Sequence, residues 1–267
     1  MLMSGPRRLG TMVLFTASSS DPGGPPVLSR LAANLVPFFG RLTVTTDPGT
    51  RLEPGSILVV NHTSLADPAL VLAALRGRLA VEPVLLAAAG LWRIPLLGRA
   101  LAREGHVPVH RNSARAAAAL DHAAVALASG RHVMLYAEGR IPPRGDAAEN
   151  PPELFRTGLA RLARATGAPV VPIGQAGARR ITSGGRTKQI AGVLTAPVRR
   201  PGLHVHIGAP IRLPEDVAAA TALAHGAVTE AWRTAAGALG EPAALCQGAP
   251  GVTPSRPGWR RSVRRRG

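Results

Sequence analysis

The sequence predicts a single α/β domain with a largely parallel central sheet flanked by helices. Short apolar runs rich in β-branched residues, such as Ile57–Val60, are typical of buried strands. Longer segments with apolar residues at helical spacing alternate with these runs along the chain. Strands that alternate with helices usually form a parallel sheet, whose carboxyl ends lie on one rim.

Length and composition predict one sizeable core. The chain has 267 residues, of which 46% are hydrophobic, enough for one domain with tails. We expect a flexible leader over residues 1–26, the domain over residues 27–240 and a disordered tail rich in Pro, Gly and Arg over residues 241–267. The single cysteine, Cys246, excludes a disulfide framework and a cysteine-rich metal site. Without an 18-residue apolar run or a signal peptide, we expect a cytoplasmic protein that can associate peripherally with the cell membrane.

The charge favours anionic partners. The formal net charge is +17, and Lys188 is the only lysine, so arginine supplies almost all of it. Nucleic acid, an anionic membrane surface and phosphorylated substrates are all compatible with such a charge. Drift in composition is the alternative, because Ala, Arg, Gly and Pro are abundant together.

The elements follow in order along the chain. Residues 28–42 predict a helix, interrupted by Pro37, that packs on the domain or lies in a membrane interface. Residues 91–98 read as an apolar segment broken by proline, and residues 177–200 as a basic segment that forms part of an anionic-substrate rim or a solvated face. Further helices are expected over residues 67–75, 114–129 and 214–239. Strands are expected over residues 42–46, 57–60, 84–86, 105–111, 132–137, 168–173 and 203–207.

His62 and Asp67 are the first candidates for catalysis. His62 follows a predicted strand, and Asp67-Pro68 predicts a helix start with Asp67 as the N-cap. Across a loop and a first helical turn, the two side chains can meet. An imidazole held by a carboxylate can act as a general base toward a hydroxyl group. Alternatively, Asp67 only caps the helix and His62 is an ordinary loop histidine.

Two other predicted strands end in charged residues. Arg111 ends one, and Glu138 and Arg140 follow another. Because ligands of open α/β sheets bind at the carboxyl ends of the strands, these side chains are candidate ligand contacts. Solvated charge for Arg111 and a structural ion pair for Glu138 are the alternatives.

His204 and His206 lie two residues apart, and so on one face of a predicted strand. Such a pair can bind a metal, but neither cysteines nor carboxylates lie nearby in the sequence. We therefore expect no metal site.

Several of these segments resemble conserved blocks of the glycerophospholipid acyltransferases, the lysophosphatidic acid acyltransferase group. Residues 61–67, Asn-His-Thr-Ser-Leu-Ala-Asp, match the His-x4-Asp motif of that family. Residues 105–111, 136–140 (Tyr-Ala-Glu-Gly-Arg) and 171–173 resemble the next three blocks in family order, and residues 94–98 and a linking helix over 155–169 are also family-like. The resemblance covers about residues 27–215. Each block is weak alone, but their order and their positions at strand ends make the set specific.

The resemblance implies a function and a mechanism. His62 would deprotonate an acceptor hydroxyl that attacks the thioester of acyl-CoA or acyl-carrier protein, and Asp67 would orient His62. Arg111 and Arg140, with Glu138 and Gly139, would bind the acceptor phosphate, and Glu138 would contact acceptor hydroxyls or fix an arginine. The implied acceptor is a lysophospholipid, first of all 1-acyl-glycerol-3-phosphate, which would give phosphatidic acid in phospholipid biosynthesis. Neither a cofactor nor a metal is implied.

The sequence departs from the family pattern in two places. Ala137 replaces a usual proline and no threonine precedes Arg140, in the block that the resemblance associates with acceptor binding. Ala88 and Gly90 stand where Lys and Glu are frequent, so a phosphate contact by that lysine is absent or supplied by an arginine.

Other readings stay open. One is acylation of another lyso- or glycolipid, and a second is a degenerate acyltransferase fold that binds lipid without turnover. The third is a basic nucleic-acid-binding protein, although only 3% of the residues are aromatic and no nucleic-acid motif is visible.

Overall fold

A computed structural model describes residues 26–110, 115–142 and 146–241. Arg111 and residues 143–145 lie outside these ranges, and so does nearly all of the predicted leader and tail. The helices are α1 (Val27–Phe39), α2 (Asp67–Leu79), α3 (Pro95–Arg103), α4 (Arg115–Ala128), α5 (Gly158–Thr166), α6 (Arg186–Arg199) and α7 (Val217–Ala238). The strands are β1 (Arg41–Thr46), β2 (Ile57–Val60), β3 (Val84–Ala88), β4 (Val107–Val109), β5 (Val133–Tyr136), β6 (Val170–Ala176) and β7 (Gly202–Ile207).

The strands form one sheet in the order β1-β7-β6-β2-β5-β3-β4. All neighbouring pairs are parallel except β6 and β7, which are antiparallel. The predicted fold class, an α/β domain with a largely parallel sheet, is therefore confirmed. Strands β2 and β5 are neighbours, whereas β4 lies at the edge, three strand spacings or about 14 Å from β2.

Helices cover both faces of the sheet, and the central strand β2 shows how. Its four residues are fully buried and alternate between the two faces. Leu58 and Val60 pack in a core with residues of α1, α2 and α6, and Ile57 and Val59 pack in a second core with residues of α4, α5 and α7. Burial on both faces explains why β2 is a continuous apolar run.

Helix α1 differs from the prediction because Pro37 does not interrupt it. Proline near the end of a helix removes one hydrogen bond and leaves the preceding turns intact. The first turn is held by the Glu104 carboxylate, which accepts from the N–H groups of Val27 and Leu28 at 2.9 and 3.0 Å. This helix is thereby tied to the domain at its N-terminus.

Two further helices occur where the sequence predicted none, in the proline-broken segment and in the basic segment. Pro95 begins α3, since proline suits the first helical position and does not break the segment there. The basic segment contains α6, whose inward face is built from small residues such as Gly192 and Ala196. A Cβ at Gly192 would overlap the Ile181 carbonyl, so this helix packs closely without large buried side chains.

The two strand histidines hydrogen bond to β1. His204 lies 2.7 Å from Thr43 Oγ1 and 2.9 Å from Thr45 Oγ1 through its two ring nitrogens. The Nδ1 atom of His206 is 2.9 Å from Thr45 Oγ1, and its Nε2 atom is 3.2 Å from the Asp47 carboxylate. Within the described ranges, no group of three or more His, Cys, Asp or Glu side chains is arranged to hold a metal.

No helix in the described part of the chain combines the length and apolar character needed to cross a bilayer.

Candidate active site

The site is built on the loop that leaves β2. In this loop His62 Nδ1 lies 2.9 Å from Asp67 Oδ2, and both residues are buried. A carboxylate can only accept a hydrogen bond, so Nδ1 carries the proton of the neutral imidazole. The second ring nitrogen, Nε2, then keeps its lone pair. The structure thus brings the two predicted residues together in the arrangement of a general base and its orienting carboxylate.

Asp67 is held rigidly by the loop itself. Its Oδ2 atom also accepts from the backbone N–H groups of Thr63 at 2.6 Å and Ser64 at 2.9 Å. The predicted N-cap role is wrong, because Ala66 is the N-cap of α2 and the Asp67 carboxylate points back into the loop. Satisfying loop N–H groups in this way fixes the carboxylate in position beside the imidazole.

Glu138 holds the other side of the candidate catalytic loop, residues 61–66. It lies at the end of β5, next to β2, and its Oε1 atom accepts from the His62 backbone N–H at 2.7 Å. Its Oε2 atom accepts from the Glu153 N–H at 3.1 Å. Burial raises the pKa of Glu138 from 4.5 to about 7, despite the two N–H donors, which lower it.

Tyr136 packs against the face of the His62 imidazole. The ring centroids are 4.2 Å apart and the planes are inclined by 24°. The Tyr136 hydroxyl is buried and has no hydrogen-bond partner among the described residues. Burial, followed by the nearby charge of Asp67, raises the pKa of Tyr136 well above 10, so the phenol remains neutral.

A buried polar network connects the loop to β6. Asn61 exchanges two hydrogen bonds with the Gln175 backbone, at 2.8 and 3.1 Å, and Gln175 Nε2 donates to Thr63 Oγ1 at 2.9 Å. Arg179 is also buried, and its Nη1 atom donates to the Thr63 carbonyl at 3.2 Å. Arg179 therefore supports the loop through the Thr63 carbonyl and is not solvated, which was one of the two alternatives predicted for its segment.

The remaining predicted ligand contacts are Gly139, Arg140 and Arg111. Gly139 has φ 76°, and a Cβ at this position would lie 2.7 Å from Arg156 Nε. Arg140 is exposed and pairs with Glu153 at 3.3 Å, so Glu138 is not the carboxylate that fixes this arginine. Arg111 is outside the described residues, and the strand before it, β4, lies at the far edge of the sheet.

An apolar cavity of about 230 Å³ lies beside the catalytic loop. Its walls come from α1, α2, α6 and the start of β7, and the loop itself contributes Leu65 and Ala66. Thr182 supplies the polar part of an otherwise aliphatic and aromatic lining. A small polar cleft at the same loop is lined by His62, Thr63, Glu138, Pro142, Asn150, Pro151 and Arg179. The loop thus borders the apolar cavity through Leu65 and Ala66 and the polar cleft through His62 and Thr63.

Sequence reasoning missed Tyr136 as the stacking partner of His62, and Gln175 and Arg179 as supports of the loop. All three are far from the loop in the chain. Tyr136 reaches His62 because β5 pairs with β2, and Gln175 and Arg179 reach Asn61 and Thr63 because β6 pairs with β2. The apolar positions of β2 carry no information on these polar partners.

Comparison with known proteins identifies similar sequences and folds. A profile of the family described as Acyltransferase matches residues 41–175, about half of the chain. The fold is similar to that of the 1-acyl-sn-glycerophosphate (LPA) acyltransferase PlsC from Thermotoga maritima, with a TM-score of 0.60 and 19% sequence identity. That similarity covers 79% of this chain and 78% of the other. No curated protein sequence matches.

Proposed function

Because the chain belongs to the Acyltransferase family, we propose that it transfers a fatty acyl group from a thioester to the hydroxyl of a lysophospholipid. The observation that carries the proposal is the His62–Asp67 pair, at 2.9 Å, on a loop that borders an apolar cavity and a small polar cleft. The cavity is suited to part of a fatty chain, and a polar acceptor would approach His62 at the cleft. Acyl transfer requires both kinds of ligand beside one base.

The proton steps follow from the tautomer of His62. Nε2 removes the proton of the acceptor hydroxyl as its oxygen attacks the thioester carbonyl, and Asp67 stabilises the resulting imidazolium. The tetrahedral intermediate then collapses with cleavage of the C–S bond. The imidazolium returns its proton to the departing thiolate, so the ester, the thiol and the original dyad are restored.

The two substrates are proposed by chemical class. Acyl-CoA or acyl-carrier protein would supply the thioester, and neither a cofactor nor a metal is needed for the steps above. The proposed acceptor is 1-acyl-glycerol-3-phosphate, whose phosphate would be bound by Arg111 and Arg140, because guanidinium groups form bidentate contacts with phosphate. The similarity to a protein described as an LPA acyltransferase supports this choice. The reaction would take place at an anionic membrane surface, where lysophospholipids reside, and would yield phosphatidic acid.

The proposal is tested by mass spectrometry of the lipids formed from a panel of acceptors and donors. The acceptors are 1-acyl-glycerol-3-phosphate, the matched monoacylglycerol without the phosphate, and lysophosphatidylcholine. Each is incubated with acyl-CoA and with acyl-carrier protein. We expect diacyl product with 1-acyl-glycerol-3-phosphate, and a lower rate with the monoacylglycerol.

Two variants identify the residues involved. Arg140→Ala should raise the acceptor KM and leave the donor KM nearly unchanged if Arg140 contacts the phosphate. Arg212→Ala is the matched control, because this exposed arginine also pairs with a glutamate but lies away from the catalytic loop. Absence of acyl transfer to any acceptor would contradict the proposed function, and preference for monoacylglycerol would contradict the phosphate assignment alone.

A further inference from the structure

Helix α6 presents an apolar stripe to solvent. Ile190, Leu194 and Val198 recur four residues apart, so they lie on one side of the helix. Their exposed fractions are 62%, 73% and 88%. An exposed stripe of large aliphatic side chains on a well-packed helix is unusual for a surface that faces only water.

Helix α1, which packs against α6, carries a second exposed stripe. Its members are Val27, Leu31, Leu35 and Phe38, all at helical spacing. In both helices the exposed stripe borders residues that line the apolar cavity, namely Phe39 in α1 and Val193 in α6. Leu65 of the catalytic loop also lines this cavity and is 64% exposed, so the cavity opens at this surface.

The charge of this surface complements an anionic partner. Neither α1 nor α6 contains Asp or Glu. Arg186, Lys188, Arg199 and Arg200 are exposed. Arg186 continues the row of the apolar stripe at its N-terminal end, Lys188 and Arg199 lie on other sides of α6, and Arg200 follows the helix. Apolar side chains flanked by cations, without acids, are the features of helices that lie in the interface of anionic membranes.

We infer that α6 is a membrane-docking helix, which inserts Ile190, Leu194 and Val198 into the interface of an anionic bilayer alongside the stripe of α1. In this orientation the mouth of the apolar cavity at Leu65 faces the lipid. A fatty chain could then enter the cavity from the bilayer without crossing water. The inference deepens the proposed function and rests on it for the identity of the chain that enters. Both helices lie outside residues 41–175, so the family match does not describe this surface.

The test compares wild type and variants by co-sedimentation with vesicles that contain both phosphatidylglycerol and phosphatidylcholine. No substrate is present. The test variant is I190Q/L194Q/V198Q, since glutamine keeps a high helix propensity at exposed positions. Salt of about 1 M is included, because a Debye length of about 3 Å suppresses binding by surface charge alone. Full burial of each aliphatic side chain changes partitioning about tenfold, so we expect a loss of up to about 1,000-fold for the triple variant.

The matched control is V125Q/L154Q/L223Q. These three aliphatic residues are also exposed. Val125 and Leu223 lie in α4 and α7, which cover the other face of the sheet, and Leu154 lies in the loop before α5. The control should bind vesicles like the wild type. In addition, a polarity-sensitive fluorophore on L194C should shift to the blue with vesicles, and one on V125C should not, both in a Cys246→Ser background.

Three results would overturn the inference. The first is wild-type protein that does not bind vesicles at high salt, and the second is equal binding by the triple variant and the control. The third is a dimer that becomes monomeric in the triple variant while vesicle binding is unchanged, which would assign the stripe to a second copy of the chain. Because no substrate is present, vesicle binding without acyl transfer would leave the inference standing and refute only the proposed function.

Discussion

Glu138→Gln replaces a buried, titrating carboxylate by a neutral amide of the same shape. In the folded protein the pKa of Glu138 is about 7, compared with an ordinary value of 4.5. Between these two pH values the folded protein binds a proton that the unfolded chain has lost. The contribution of Glu138 to stability is therefore fully present below pH 4.5 and is lost as the pH rises through about 7. The difference amounts to about 3 kcal/mol, at 1.36 kcal/mol per pKa unit.

The variant cannot titrate, and it also loses a hydrogen bond. Both oxygens of Glu138 accept from backbone N–H groups, and a hydroxyl oxygen of the protonated group can still accept, whereas the amide nitrogen of glutamine cannot. The lost bond should cost about 1–3 kcal/mol in either protonation state of the wild type. We expect the variant to be clearly less stable than the wild type near pH 5, and this gap to shrink by up to about 3 kcal/mol near pH 8.

The assay is urea unfolding of both proteins at the two pH values. Glu53→Gln is the control, because Glu53 is exposed and its pairing with Arg212 is screened by solvent. The control should show no change in its gap to the wild type between the two pH values. A gap for Glu138→Gln that stays constant within about 0.5 kcal/mol would refute the buried, proton-binding state of Glu138.

Three further predictions concern the packing around the site. Tyr136→Phe removes a buried hydroxyl that has no hydrogen-bond partner among the described residues, and it keeps the ring on His62. The free energy of unfolding should stay equal or rise by up to about 1 kcal/mol. A lower free energy of unfolding in urea would contradict this. Gly174→Ala places a Cβ into the α7 backbone at Ala231 and should lower the free energy of unfolding by about 3 kcal/mol or more. Gly226→Ala has open space around it and should raise the free energy of unfolding by about 0.5–1 kcal/mol. Equal thermal stability of the two variants would contradict the close packing at Gly174. Burial lowers the pKa of His106 below 6.5, so this neutral histidine loses its contribution to stability as the pH falls. The difference in free energy of unfolding between wild type and His106→Gln, measured with urea, should therefore shrink on acidification. A difference that widens would contradict the prediction.

The parts of the site that the sequence could predict are local in the chain. His62 and Asp67 are five residues apart, between an apolar strand and a proline that starts a helix, and this short path leaves little freedom in how they meet. The same local signals predicted the strands and the alternation that gives a largely parallel sheet. What they could not predict was the direction of the Asp67 side chain, which accepts from loop N–H groups and does not cap the helix.

The remainder of the site depends on which strands are neighbours. Glu138 reaches the His62 N–H because β5 pairs with β2, and Arg179 reaches Thr63 because β6 pairs on the other side. Chain order suggested three strand ends in sequence, but the sheet places β5 beside β2 and β4 at the edge. Apolar strand sequences are too similar to specify their neighbours, so such contacts require the tertiary structure.

Helix α6 was hidden by its unusual pattern of polarity. Its buried face consists of small residues, and its large aliphatic residues face outward. An amphipathic pattern predicts a helix that buries its large apolar side, and six cations in residues 177–200 instead suggested a solvated segment. A membrane-facing side would explain both features.

The central claim is that His62 acts as the general base of acyl transfer. It is tested most directly by the kcat of His62→Ala with the best acceptor and donor from the panel, in protein whose folded state is verified by circular dichroism and urea unfolding. Loss of general-base catalysis should lower kcat by roughly 10²–10⁴-fold, in a variant that still unfolds in one cooperative urea transition. A folded His62→Ala variant that turns over at a near-normal rate would contradict the claim.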